Sequence, residues 1–459
     1  MDSWIGFQTV GGRCYSQRDV ALGPSLTIPG SSVHIRVTLG MLLLASVAAG
    51  SATRGQEPPR PVVARPGVDV ARLAALPAVR AALDAIRADE ARTIQDQVRL
   101  CEIPAPPFQE TARAQAYAEK FRAAGLTGVR IDAAGNVIGE RPGQSGQPHL
   151  VLGAHLDTIF PKDTRVTVTR TGSVLRGPGI ADNCRGLAVL LAVARAIDAA
   201  GVKTPGTITF VGTVGEEGLG DLRGVKSLFT GGLAGRIDRF VSVDGSGHGI
   251  TNVAVGSRRY RVTFRGPGGH SYDNFGRANP AHALGRAVAL LADFKVPAHP
   301  RTTFGVGRIG GGASVNAIPA DAWMEVDLRS LDPAALETLD ADFRRVVDRA
   351  LMLENARWKQ NGRLSVAVDR VGDRPAGRTD ESSFLVQTAL ATGRTLGITS
   401  RLEHGSTDAN LPMMLKVPAI TVGGGGSAAG THSLQETFDT TDSWRGSQRV
   451  LLLTIALAR

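Results

Sequence analysis

Four short apolar runs, at residues 149–154, 207–213, 240–243 and 419–422, constrain this chain more than any other feature. Each is the length of one strand, and each is apolar on both alternating sets of positions, so neither face meets water. Between the first two lies 185–200 (RGLAVLLAVARAIDAA), rich in strong helix formers and free of proline. Buried strands alternating with helices require a largely parallel sheet with helices on both faces, an α/β fold. Upstream, 68–99 has helical apolar spacing, the prolines of 102–108 stop it, and 111–124 resumes as an amphipathic helix.

From 255 to 369 the rhythm changes. The spacing predicts strands over 260–265, 302–310, 322–330 and 364–371, with helices over 280–294 and 333–355. This β-α-β-β-α-β order is that of a ferredoxin-like unit. It lies between two parts of the sheet domain, 68–254 and 370–459, and so reads as an inserted second domain; 459 residues accommodate both.

The first 52 residues read as a targeting segment. His34 and Arg36 precede an apolar stretch at 37–49, small residues follow through Ala52, and a polar, Pro-rich linker at 53–67 comes next. Basic, apolar, small is the order of a signal peptide, and the apolar stretch is short for a membrane span. An uncleaved anchor is the alternative. The long front of the segment suggests a true start near Val33 or Met41. The expectation is an exported protein, periplasmic or secreted, with no stable membrane association once the signal is removed.

The net charge of +10 raises the question of nucleic acid. The basic residues are scattered, with no run of five and no zinc-finger spacing, so a solvated basic surface is the reading and no nucleic-acid partner is expected. Cys14 would leave with the signal, leaving Cys101 and Cys184, which could pair or stay separate thiols. Two cysteines cannot build a thiolate zinc site. Any metal must be held by imidazoles and carboxylates.

Such residues stand where the apolar runs stop. The run 149–154 ends in His155-Leu-Asp157, 207–213 leads to Glu216-Glu217, 240–243 ends in Asp244, and 419–422 leads through glycines to His432. Asp182 stands just before the strong helix. In open α/β sheets ligand sites lie at the carboxyl ends of the strands. Two imidazoles and three carboxylates on one rim suit zinc or a related divalent ion, cobalt or manganese included. Five ligands are too many for one open tetrahedral zinc and suit two ions sharing a carboxylate. One of Glu216 and Glu217 can then ligate while the other moves a proton. Asp157 is placed to accept the second ring N–H of His155. His248, His282, His299 and His404 read as surface or bland polar residues.

The segments GAHLDT (153–158), GIADNCRG (179–186), TVGEEGLGDLRG (213–224), VDG (243–245), GGHS (268–271), ASVNAIPADAWMEVDLRS (313–330), STDAN (406–410) and GTHSLQE (430–436) together resemble the di-zinc metallopeptidase family of bacterial glutamate carboxypeptidase, aminoacylase, acetylornithine deacetylase and succinyl-diaminopimelate desuccinylase. The resemblance implies that His155 and Asp244 hold one zinc, that Glu217 and His432 hold the other, and that Asp182 bridges. It makes Glu216 the general base and then acid, acting on a water between two zinc ions, and Asp157 the residue that orients His155. It makes His270 of a second subunit an oxyanion donor, which implies a homodimer with the insert as lid. Asn316 and Arg329 would bind substrate, the arginine gripping a carboxylate. Read from the residues alone, His270 is a turn histidine, Arg329 could pair with Asp327 or Asp332, and Asn316 could be a turn residue. Asn183 and Cys184 depart from the usual motif, and Asp244 in place of a histidine favours the peptidase or deacylase branch. The implied activity is exopeptidase or deacylase hydrolysis of a short peptide or N-acyl amino acid. The rivals are an aminopeptidase or dipeptidase reading a free amine, and a non-catalytic binding protein, whose mark would be the loss of Glu216 or a ligand.

Overall fold

The computed structural model describes residues 68–358 and 362–459. The expected signal segment and linker, 1–67, lie outside the described residues. The four apolar runs form adjacent parallel strands, in the order Gly206–Thr213, Gly146–His155, Arg239–Val243, Ala419–Val422. They are the centre of a nine-stranded mixed sheet. Val137–Arg141 and Thr127–Ile131 extend it antiparallel on one side, Ile250–Ala254 and Gly377–Arg378 on the other.

Alternation along Gly146–His155 fills two separate cores. Leu150, Leu152 and Ala154 pack with the helices Cys184–Ala199 and Trp444–Leu457, while Val151 joins Phe240, Val225 and Leu228 on the opposite face. That double burial is why the runs lack polar alternation.

The stretch 68–99 is three helices where the spacing predicts one: Val70–Ala74, Pro77–Ala88 and Glu90–Cys101. Pro77 lacks an N–H and starts a helix rather than continuing one, and Asp89 interrupts the next turn. Among the described residues no helix is long and apolar enough to cross a membrane.

The segment between the two parts of the large sheet has its own four-stranded antiparallel sheet. Its order is Thr302–Gly311, Asp321–Ser330, Gly256–Arg265, Ser365–Arg374. The helices Pro280–Ala292 and Pro333–Arg357 pack on it over a core of Tyr260, Val262, Phe264, Met324, Val326, Phe343 and Val347. The last strand runs through residue 369 to Arg374, which brings it against the large sheet's loops.

One close packing point lies directly behind the candidate site. Asn183 caps the helix Cys184–Ala199 by accepting the Gly186 N–H at 3.0 Å, and its amide donates to the Val243 carbonyl at 2.9 Å. A Cβ on Gly186 would lie 2.3 Å from both Asn183 Oδ1 and the Val243 oxygen. Gly186→Ala is expected to destabilise by about 1–3 kcal/mol, the cost of overpacking, read as a lower urea midpoint. An unchanged midpoint would mean that this turn can yield.

Candidate metal centre

The sheet delivers its functional side chains at one rim. His155 is the last residue of Gly146–His155 and is buried. Asp244 follows Arg239–Val243, with its N–H on the Val422 carbonyl at 3.0 Å. Glu216 and Glu217 follow Gly206–Thr213, and both are buried. His432 sits in a turn at φ 65°, the left-handed region, closed by the Ser433 N–H to Gly430 bond. Its side chain is half exposed.

The five residues converge as two triads that share Asp182. His155 Nε2 lies 3.0 Å from Asp182 Oδ1 and 3.4 Å from Asp244 Oδ1. His432 Nε2 lies 3.0 Å from Asp182 Oδ2 and 3.0 Å from Glu217 Oε1. A third grouping, His155 with Glu216 and Glu217, is also compact. There, however, Glu216 Oε1 is taken by a salt bridge to Arg374 at 2.9 Å, so the triads built on Asp182 are the better cation sites.

The donor set fits metal. His155 Nε2 is buried and makes no hydrogen bond although two carboxylate oxygens face it, the arrangement of donors converging on a cation. The electrostatics agree. Burial opposes charge on His155, yet the Asp244 and Asp182 carboxylates outweigh it and hold the imidazole well above its ordinary value. Hydrogen bonds to Asp182 and Glu217 push His432 up to about 10. Burial, with Glu216 and Asp182 nearby, pushes Glu217 up to about 7 against the bond from His432. Burial works against the Asp182 carboxylate too, but the imidazoles of His155 and His432, each 3.0 Å from one of its oxygens, keep it well below the usual carboxylate range. This much clustered negative charge recruits protons when no divalent cation balances it.

Other expected contacts fall differently. The second ring nitrogen of His155, Nδ1, meets the main-chain carbonyl of Asp157 at 3.0 Å, and the Asp157 carboxylate is 3.8 Å away. That carboxylate instead accepts the N–H groups of Glu216 at 3.0 Å and Glu217 at 2.7 Å. Two amides of one turn satisfy both its oxygens, and the carbonyl is the nearer acceptor for the ring. Arg329 donates to Asp327 at 2.7 Å, the local pairing that its sequence also allowed. His270 and Asn316 come together across the short pair Gly269–His270 with Ala317–Ile318. Their side-chain bonds stay local: Nδ1 of His270 accepts from Tyr272 and Asp273 at 3.4 Å, and Oδ1 of Asn316 accepts from Ser314 at 2.6 Å. Neither residue bonds to the five.

Two residues not singled out by sequence complete the site. Glu436, fully buried, accepts the N–H groups of Gly179, Ala181 and Asp182 at 3.2, 2.8 and 3.1 Å, and so fixes the loop that presents Asp182. Arg374 holds Glu216. Cys101 and Cys184 are free thiols buried in one apolar cluster with Leu175, Ile180 and Phe438.

The profile of peptidase family M20/M25/M40 matches residues 151–456, well over half of the chain. The chain belongs to that family. As an M20 peptidase it is a hydrolase of the metallopeptidase class. It is 27% identical over 302 residues to succinyl-diaminopimelate desuccinylase of Leptothrix cholodnii, covering 61% of this chain and 76% of that one. It is 27% identical over 321 residues to carboxypeptidase G2 of a Pseudomonas species, covering 64% and 72%. A dinuclear metal binding M20 peptidase of Bacillus subtilis superposes with a TM-score of 0.58 at 17% identity, covering 80% of this chain and 98% of that structure. This last likeness bears on the fold, which the M20 chain shares.

Proposed function

We propose that this M20 hydrolase cuts the amide bond of a short peptide or an N-acyl amino acid, as an exopeptidase or deacylase, using two divalent metal ions, zinc in the first instance. His155 and Asp244 would hold one ion, Glu217 and His432 the other, and Asp182 both. The observation that carries this reading is Asp182, whose two oxygens each lie 3.0 Å from a different imidazole. Two divalent cations there would acidify a water between them and polarise the scissile carbonyl.

The chain's own residues supply the remaining chemistry. Glu216 takes the proton of the attacking water and returns it to the leaving nitrogen. Asp157 holds the turn of Glu216 and Glu217 through its two amide bonds. His270, from a second copy of the chain, would donate to the oxyanion, which makes the working form a homodimer. Asn316 and Arg329 would bind the substrate, Arg329 taking its carboxylate once Asp327 yields. A desuccinylase and a carboxypeptidase among the relatives support this reading over one that reads a free amine. Export rests on the order of residues over 34–52.

One experiment tests these points together. Protein from the exported fraction is sized by light scattering and its metal content measured. It is then screened against dipeptides and N-acyl amino acids, as free acids and as C-terminal amides. The expected result is a dimer with two ions per chain that cuts the free acids about 10- to 100-fold faster, the worth of one charge-assisted hydrogen bond. Equal rates on the amides would replace the carboxylate reader by an amine reader. No hydrolysis of either set by metal-loaded protein would overturn the proposed substrate class.

A further inference from the structure

Arg374 is the last residue of the strand Ser365–Arg374, yet its side chain leaves the small sheet and is buried at the large one. Its Nη1 donates to Glu216 Oε1 at 2.9 Å and to Ser406 Oγ at 3.2 Å. Its Nη2 donates to the main-chain carbonyl of Glu216. One guanidinium thus grips a single residue by side chain and backbone, a fork that a point charge cannot reproduce.

The grip belongs to a larger clamp. Arg259, on the neighbouring strand Gly256–Arg265, donates to the Gly218 carbonyl. The Asp373 N–H reaches Asp221 Oδ1 at 2.7 Å, and Lys226 bridges Asp221 and the Asp373 carbonyl. From below, Asp157 takes the amides of Glu216 and Glu217. The turn carrying the two glutamates is therefore held through its N–H groups by the large sheet and through its carbonyls by the small one.

We propose that Arg374 is the positioning residue of Glu216. It occupies Oε1 and leaves Oε2 as the proton-carrying atom, so the base is aligned only while the small sheet is seated. The proposal rests on the reading of Glu216 as general base. It also means that any movement of the strand Ser365–Arg374 reaches the base directly, since no flexible linker separates the two. A role in folding alone is the rival, because a buried guanidinium removed from a buried carboxylate leaves that carboxylate unpaired.

The experiment compares Arg374→Met, Arg374→Ala, Arg374→Lys, Glu216→Gln and the double variant Glu216→Gln with Arg374→Met, with kcat, KM and metal content measured on each. Arg374→Met is expected to lower kcat about 100-fold with KM and metal unchanged, the signature of an interaction made in the transition state. The double variant is expected to be no slower than Glu216→Gln alone, because the arginine acts through the glutamate. Free guanidinium ion should restore part of the activity of Arg374→Ala. Arg374→Lys should fall about tenfold, since an ammonium lacks the fork. Full loss multiplying in the double variant, a raised KM at constant kcat, or loss of metal would each overturn the proposal. If Arg374→Met does not fold, Arg374→Lys decides: unchanged kcat sinks the proposal. An active Glu216→Gln instead sinks the underlying mechanism, which keeps the two failures distinct.

Discussion

Replacing Glu216 by Gln should lower kcat about 10³-fold and leave both metal ions in place, within the range of a positioned general base. The geometry separates the two effects. Glu216 belongs to neither triad built on Asp182, so its charge is not needed to hold a cation there. Its N–H keeps the bond to Asp157, and a glutamine oxygen can still accept from Arg374 in the place of Oε1. What the amide cannot do is take a proton from water. Glu217→Gln should behave oppositely, because Glu217 Oε1 faces His432 Nε2 at 3.0 Å inside a triad, and loss of metal should accompany its loss of rate. Steady-state rates and metal emission on the same preparations check both. If Glu216→Gln keeps more than about a tenth of kcat, it is not the base, since a general base contributes at least 10².

The central sheet was legible because burial on both faces leaves the strands no polar positions, so the polar residues at their ends stand out. His155, Glu216, Glu217 and Asp244 follow from that contrast alone. Asp182 was legible by its place just before a strong helix, by the need for one carboxylate shared between two ions, and by its motif. His432 was less so, because it stands ten positions and a left-handed turn beyond Val422, and it leaned most on the motif. The small sheet's order is legible from alternation, although the predicted last strand, 364–371, ends short of Arg374.

What escaped sequence reasoning is tertiary. Arg374 meets Glu216 across 158 residues, and an arginine ending a strand before Pro375 carries no local signal of that partner. Glu436 lay inside a quoted motif, but its three amide acceptances depend on how the loop before Asp182 folds back over 250 residues later. Sequence shows near neighbours, and so points the Asp157 carboxylate at the histidine two residues away. The amides that it actually receives come from the adjacent strand's end.

Asp182→Ala should empty both cation sites, whereas His432→Ala should empty one. Each triad has three donors, about the fewest that protein supplies at a catalytic zinc, and Asp182 gives one oxygen to each. Alanine leaves His155 with Asp244 on one side and Glu217 with His432 on the other, two donors apiece. Removing His432 leaves His155, Asp182 and Asp244 intact. The loop itself should survive either change. The Asp182 N–H is held by Glu436, and Asn183 caps the following helix whatever side chain precedes it. The metal-free thermal midpoints should therefore stay close to that of the parent chain, and the difference should emerge only on adding zinc. A ligand that binds the native state alone raises the midpoint in proportion to the free energy of binding. The parent chain should show the largest rise, His432→Ala a smaller one and Asp182→Ala almost none, with metal emission after dialysis following the same order. Two ions retained by Asp182→Ala would mean that the two triads do not share their carboxylate in function, and the bridging assignment would fall.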